Sequence, residues 1–248
     1  MAGSGTAPDG AARERAGQLA AGLAAVRRRI DTACAAEDRD PATITLVVVT
    51  KFFPASDLRL LAELGVRDIG ENKDQEAARK LAELGAADPS GRAALTTHFI
   101  GQLQTNKAGS VASYADVVHS LDRDRLVAAL AKGARRAARE LDVLIQVSLD
   151  GTEGRGGVAP EGVLALAGEV AATPGLRLRG VMAVAPLQAD PDAAFARLAE
   201  VSSELRVAHP EARAISAGMS ADLEQAVRHG ATHLRVGSAI LGSRPLTR

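Results

Sequence analysis

Ile44-Thr45-Leu46-Val47-Val48-Val49-Thr50-Lys51-Phe52-Phe53-Pro54 is the stretch on which the fold turns. Its first seven residues are apolar or β-branched, the composition of a strand covered on both faces. An open, doubly wound sheet usually carries a glycine-rich loop after its first strand. Here Thr50-Lys51-Phe52-Phe53-Pro54 contains no glycine. A closed barrel fits better, and the rest of the chain is paced for one. Residues 44–50, 66–69, 98–100, 117–120, 143–148, 178–184, 214–216 and 234–236 read as strands, and helical stretches separate them, among them 55–64, 73–84, 123–140, 161–172, 192–207 and 221–229. Strands joined by helices run parallel. Eight such units close into a single (β/α)8 barrel of the TIM type, in the α/β class.

Before the first strand, Leu19, Leu23, Val26 and Ile30 recur at spacings of three and four, predicting a helix from about residue 11 to 36. It would lie outside the barrel or plug its bottom. Residues 1–10 are mostly small and polar and read as a flexible N-terminus, with 11–248 as one domain. The longest irregular stretch, 86–97, reads as a surface loop. The 248 residues suit one α/β barrel, and 46% are hydrophobic but only 2% aromatic, so the core must be built from Ala, Val, Leu and Ile. Zero net charge and few aromatics argue against nucleic acid as a partner. Cys34 is the only cysteine, so no intramolecular disulfide can form. No apolar run approaches the roughly 20 residues of a membrane helix, and the N-terminal segment lacks the pattern of a signal peptide. The expectation is a cytoplasmic monomer with no membrane partner.

In such barrels the working face lies at the C-terminal ends of the strands. Lys51 ends the most apolar strand. A lysine in apolar surroundings loses stability as an ammonium, and its neutral amine can form a Schiff base with a carbonyl; alternatively it simply extends out of the barrel top. After the second strand, Asn72 of Gly70-Glu71-Asn72 either bonds a ligand or caps the next helix. After the third, the amides of Gly101-Gln102-Leu103-Gln104-Thr105-Asn106-Lys107 either bind a ligand or form a polar loop with Thr105 or Asn106 as a cap. Ser216-Ala217-Gly218-Met219-Ser220 and Arg235-Val236-Gly237-Ser238 follow strands seven and eight, where many barrels bind phosphate. Small residues let backbone N–H groups approach phosphate oxygens, serines add donors, and a following helix adds its N-terminal end. Arg235 and Gly237 share a strand face, with His233 further down it. Because the barrel closes between strands eight and one, Lys51 faces this cradle. A Schiff-base lysine beside a phosphate cradle suggests pyridoxal phosphate.

These segments also carry a resemblance. The chain resembles the pyridoxal phosphate homeostasis protein family from about residue 19 to 242. The resemblance rests on Val49-Thr50-Lys51, Gly70-Glu71-Asn72 with Gln75-Glu76, the segment His98 to Lys107, Arg179-Gly180-Val181-Met182, Ser216-Ala217-Gly218-Met219-Ser220 with Asp222, and the segment Arg235 to Gly242. It implies a barrel related to the N-terminal domain of alanine racemase, with pyridoxal phosphate linked to Lys51. It implies phosphate contacts from Ser216, Gly237 and Ser238, Met219 nearby, and Arg235 facing the pyridine nitrogen. It further implies a protein that binds, buffers or delivers its cofactor, with apo pyridoxal enzymes as candidate acceptors. Two positions depart from many relatives: Lys73 stands in place of tyrosine, and Arg155 in place of lysine, which argues against a secondary covalent site there.

Arg235 favours a carrier over an enzyme. Arginine offers only donors, so it favours an unprotonated ring nitrogen, a poorer electron sink than the protonated ring most pyridoxal enzymes use. Racemases of this fold add a second acid–base residue, and the only tyrosine here, Tyr114, lies before strand four. No catalytic residue and no metal ligand is assigned. The alternatives are a pyridoxal-dependent racemase or decarboxylase, a Schiff-base aldolase or phosphosugar isomerase, and a non-enzymatic partner-binding protein.

Overall fold

The computed structural model describes residues 7–151, 156–186 and 189–243. Eight parallel strands close into a barrel in sequence order: β1 (Thr45–Val49), β2 (Asp68–Glu71), β3 (Thr96–Phe99), β4 (Val117–Leu121), β5 (Leu141–Gln146), β6 (Leu176–Met182), β7 (Ala214–Ser216) and β8 (His233–Val236). Closure is direct, with Val47 paired to Arg235 and Val48 to Val236. The helices are α1 (Ala7–Ala36), α2 (Ala55–Glu63), α3 (Asp74–Ala87), α4 (Pro89–Ala93), α5 (Ala108–Tyr114), α6 (Asp124–Arg136), α7 (Val163–Ala171), α8 (Pro191–Ala208), α9 (Leu223–Arg228) and α10 (Ser238–Leu241).

Several boundaries differ from the sequence reading. The helix expected from residue 11 begins at Ala7. The stretch 86–97 is not an irregular loop: it holds the end of α3, all of α4 and the start of β3. Pro89 occupies the first turn of α4, and Asp88 caps it by accepting from the Gly91 N–H at 2.9 Å, the proline-and-cap signature of a helix start. α6 stops at Arg136 rather than continuing to 140, and Ala138 just beyond takes a left-handed φ of 52°.

α1 lies outside the barrel. Leu19, Leu23, Val26 and Ile30 are all buried, and α1 packs against α10, α9 and α2. Burying each such side chain contributes about 1.5–3 kcal/mol. A Cβ on Gly22 would come within 2.7 Å of the Ile240 carbonyl oxygen, so glycine is what lets α1 seat on α10. Charged clamps fix the helix at both ends: Arg15 binds Asp57 of α2 at 2.6 Å, and Arg29 binds Glu224 of α9 at 2.7 Å.

The main core lies between strands and helices, where Val48, Ile69, Phe99, Val118, Val143, Val181, Leu234 and Val236 join the helical layer. Alternate strand residues point into the barrel. Val47, Val49, Leu144 and Met182 are buried there, beside the polar His98, His119, Ser216 and Arg235. Among the described residues no helix is long and apolar enough to cross a membrane.

Candidate functional site

A pocket of about 510 Å³ opens at the C-terminal end of the barrel, between the loops after β1, β2, β7 and β8. Lys51, Asn72, Met219, Arg235, Gly237 and Ser238 all line it, with Phe52, Phe53, Ile100 and Val184 as an apolar wall. Six of the seven residues singled out in the sequence therefore meet in one cavity.

Lys51 directly follows buried Thr50, whose N–H donates to the Gly70 carbonyl at 3.0 Å and so extends the β1–β2 pairing. A buried charge network grips the backbone on both sides of the lysine. Lys80 Nζ donates to the Thr50 carbonyl at 2.8 Å, to Glu71 Oε1 at 2.7 Å and to Glu76 Oε1 at 3.3 Å. The Thr50 hydroxyl donates to Glu71 Oε1 at 2.6 Å, and the Phe52 N–H donates to Glu76 Oε1. Phe52 has a φ of 72°, uncommon for a bulky residue and held only where surrounding bonds over-determine it. Burial pushes the Glu71 carboxyl up from its usual range, and Lys80 opposes that shift. The network was not assigned from the sequence, although Glu76 and Lys80 stand four apart on one helix face, a legible ion-pair spacing.

The opposite side is built from small groups. Gly237 sits so close to β1 that a Cβ there would meet the Val49 carbonyl oxygen at 3.1 Å. Ser238 Oγ and Ser220 Oγ lie 3.4 Å apart at the rim. Ser220 was quoted in the sequence reading but given no role, and it lines the pocket beside Ser238. Its loop is braced, with the Met219 N–H donating to Asp222 Oδ1 at 2.6 Å and Arg29 donating to the Ser220 carbonyl at 2.9 Å. The helix expected to follow this cradle is slight: α10 has four residues and α9 six. Dipole support is correspondingly small, and first-turn N–H groups and hydroxyls are the available donors.

Ser216 stands apart from the other six. It is fully buried and does not line the pocket. Its hydroxyl oxygen lies 2.6 Å from Arg235 Nη1, which donates to it, and 2.9 Å from His119 Nδ1. The side chain points into the barrel below the rim because β7 ends on Ser216 in an inward position. Arg235 also donates through Nη2 to the Ala183 carbonyl at 2.9 Å. Burial lowers the Arg235 guanidinium to about 10, partly offset by Asp222, so it remains a cation at neutral pH.

Asn72 lines the pocket and does not cap α3; the capping position is Lys73, with no side-chain cap bond. Neither Thr105 nor Asn106 caps the helix after β3. Gln102, Gln104, Lys107 and Lys73 instead line an adjoining cavity of about 410 Å³ that shares Asn72. Tyr114 is buried in the helical layer and does not line the main pocket. Burial, with Asp74 next, pushes its phenol up. Arg155 lies outside the described residues. The donor set of the main pocket is two hydroxyls, a guanidinium, an amide and an amine around an apolar wall. It fits a phosphorylated aromatic aldehyde.

Comparison with known proteins gives the family. The profile of the family "Alanine racemase, N-terminal domain" matches residues 23–245. The pyridoxal phosphate homeostasis protein of Mycobacterium tuberculosis (strain H37Rv) is 44% identical over 246 residues, covering 94% of this chain and 95% of the relative. That of Escherichia coli K12 is 36% identical, covering 91% and 97%. The solved structure of PipY from Synechococcus elongatus PCC7942 with PLP bound superposes with a TM-score of 0.77 at 31% identity, covering 90% of this chain and 100% of that one.

Proposed function

The chain belongs to the alanine racemase N-terminal domain family and, within it, to the pyridoxal phosphate homeostasis proteins, and from that premise we propose that it binds pyridoxal 5'-phosphate and serves intracellular homeostasis of the cofactor as a carrier or buffer. The observation that carries the reading is the shared pocket: Lys51 opens onto the same cavity as Ser220, Arg235, Gly237 and Ser238. When bound, the cofactor supplies an aldehyde that an amine captures reversibly and a ring that can act as an electron sink. Lys51 Nζ holds it covalently, and the buried network around Thr50 and Phe52 fixes the backbone from which that amine extends. Ser220, Ser238 and the Gly237 backbone take the phosphate. Asn72 and Met219, which line the same cavity, would border the ring, and Arg235 would offer donors to its nitrogen.

The same residues favour a carrier over a racemase or decarboxylase. A guanidinium beside the ring nitrogen competes with a proton there and weakens the electron sink. Tyr114 is packed among helices, so no tyrosine of the described residues stands at the pocket as a second acid–base group. Candidate acceptors are apo pyridoxal enzymes, and the protein acts as a monomer in the cytoplasm.

The test has three readings on purified holoprotein. Borohydride reduction and peptide mapping should place the pyridoxyl group on Lys51. An apo pyridoxal enzyme mixed with the holoprotein should recover activity, timed against free cofactor. Incubation with amino acids should give no turnover; racemisation or decarboxylation at about 1–10³ per second would replace the carrier reading with the enzyme reading.

A further inference from the structure

We infer that a one-directional hydrogen-bond chain, Arg235–Ser216–His119–His98–Asp68, runs through the barrel core and fixes the guanidinium that borders the cofactor pocket, with His119 and His98 as positioning residues in defined neutral tautomers. The inference rests on the cofactor reading above for what Arg235 faces, but the chain itself stands on distances. Arg235 Nη1 is 2.6 Å from Ser216 Oγ, Ser216 Oγ is 2.9 Å from His119 Nδ1, His119 Nε2 is 2.8 Å from His98 Nδ1, and His98 Nε2 is 2.9 Å from Asp68 Oδ1. Residues from four strands and the end of β7 thus link the pocket to the opposite, N-terminal end of the barrel, where Asp68 begins β2 and its side chain is 27% exposed.

The two ends dictate the direction. Arginine can only donate, and an ionised carboxylate can only accept. With both imidazoles neutral, each ring has one donor and one acceptor. The arrangement that satisfies every link has the Ser216 hydroxyl donating to His119 Nδ1, His119 Nε2–H donating to His98 Nδ1, and His98 Nε2–H donating to Asp68. The opposite sense would put a bare His98 nitrogen against the Asp68 carboxylate, unless His98 gained a second proton. The chosen sense also turns the Ser216 proton away from Arg235 and presents a lone pair to it. Together with the Ala183 carbonyl, that lone pair engages one N–H of each terminal guanidinium nitrogen and fixes the plane of the group.

The surroundings favour a neutral His119 ring. His119 is fully buried, and burial is the largest cause holding its imidazole well below the usual range, followed by His98, Arg235 and His233. The groups facing the pair are Asp68 from β2, His233 and Arg235 from β8, and Arg179 of β6 beside His233. His233 stands apart from the chain, its ring centroid 6.2 Å from each of the other two and its Nδ1 engaged with Thr232 Oγ1 at 2.8 Å. The three rings are not a metal site: no group of His, Cys, Asp or Glu among the described residues is placed to hold one, and the ring nitrogens of the chain are spent on its links.

The experiment uses the full chain with ¹⁵N-labelled histidine, first without cofactor. His119 and His98 should each show a protonated Nε2 and a bare Nδ1 at neutral pH. A proton on His119 Nδ1, or His98 as an imidazolium, overturns the chain. Asp68→Asn then replaces an obligate acceptor with a group that also donates, at a partly exposed site far from the pocket. It should shift the His119 tautomer and change pyridoxal phosphate affinity by about two- to tenfold, the worth of one hydrogen bond, together with the absorption of the bound cofactor. Tautomers that respond while affinity and spectrum stay fixed overturn the positioning role. Unmodified protein that shows the expected tautomers but takes up no cofactor overturns the proposed function and leaves the chain standing. Ser216→Thr, which keeps a hydroxyl, should restore the spectrum that Ser216→Ala loses; an equal change in both counts against the chain.

Discussion

The two sides of the barrel mouth are built from opposite materials. On the β1–β2 side, Glu71, Lys80 and Thr50 are buried charges and hydroxyls wired to one another at 2.6–2.8 Å. On the β7–β8 side, Ser220, Gly237 and Ser238 bring backbone and short hydroxyls to the pocket, with Arg235 as the one charge and Met219 beside them. The difference matches what the proposed function asks of each side. A covalent anchor must present one amine from one fixed backbone position, and a network of charges supplies that rigidity. An anion is held by many small donors at once, and bulk would keep them away. Rigidity on the first side carries an energetic risk, because a buried charge that loses its partner is strongly destabilising.

The severest way to break the comparison is therefore Lys80→Met. It leaves Glu71, which is 0% exposed and already has an Oε2 without a partner, with no cation beside it. Stability should fall by about 3–5 kcal/mol, measured by denaturant unfolding. Apoprotein that still folds should show slower covalent uptake of pyridoxal phosphate at Lys51, while Ser238→Ala on the cradle side should leave stability almost unaltered. Equal losses from the two variants would erase the distinction between the sides.

Acid separates the two sides by sign. Glu71 has a raised carboxyl value in the folded protein. Its contribution is fully present below the unfolded value near 4.5 and is lost as pH rises through the folded one. Mild acid therefore does not weaken the clamp through Glu71. His233, below the cradle on β8, is pulled down from 6.5 to about 4, chiefly by burial and then by His98. A depressed base favours the folded state above its unfolded value, and that contribution is lost as pH falls from 6.5 toward 4. The loss amounts to up to about 3 kcal/mol. Melting curves should show acid destabilisation in that window, and His233→Gln should reduce it, leaving the share of His119, which burial also depresses. A variant that melts with the same pH dependence as the parent would remove His233 as its source.

How far the sequence reveals this arrangement depends on where each group gets its neighbours. The strand order, Lys51 at the end of β1 and the small residues after β7 and β8 are legible because they follow from chain position alone: in a barrel, the residue after a strand is at the mouth. α4 was missed because its cap, Asp88-Pro89, lies in a stretch of small residues without apolar periodicity. The position of Ser216 off the pocket was illegible for a different reason. Alternation decides whether the last strand residue points inward or toward the rim, and a three-residue strand is too short to show its phase. The histidine chain was illegible because its members lie on different strands, 21 residues apart for His98 and His119 and 97 for His119 and Ser216. Only His233 was seen on its strand face, and it is the ring outside the chain.

The cradle side is sharpened by comparing its serines. Removing a neutral donor to a charged acceptor costs about 1.5–3 kcal/mol, so Ser220→Ala and Ser238→Ala should each weaken pyridoxal phosphate binding about ten- to hundredfold. Ser216→Ala touches Arg235 and His119 rather than the pocket, so its affinity for inorganic phosphate should equal that of the parent. Calorimetric titration with both ligands distinguishes the three. If Ser216→Ala loses phosphate affinity as Ser238→Ala does, the phosphate sits deeper than Ser220, Gly237 and Ser238.

The smallest effect belongs to Lys73, the second lysine at the mouth. Lys51 Nζ lies 6.0 Å and Lys73 Nζ 5.4 Å from the centre of the Phe52 ring, so distance to the aromatic wall does not distinguish them. Their backbones do. Lys51 follows a buried strand end whose flanking carbonyl and N–H are both bonded into the charge network. Lys73 is an exposed residue at the start of α3 with no cap bond, and it lines the adjoining cavity rather than the main pocket. An ammonium over an exposed ring is worth about 0.5–1 kcal/mol. Lys73→Ala should lower stability by no more than that, leave cofactor affinity within about twofold, the scale of a few tenths of a kcal/mol, and leave the borohydride-trapped pyridoxyl group on Lys51. Lys51→Ala should abolish the trapped product while phosphate-mediated binding persists. A pyridoxyl group recovered on Lys73 in the parent protein would mean that the charge network holds Phe52 as a wall for a different amine, and the rigid side of the mouth would no longer be the anchoring side.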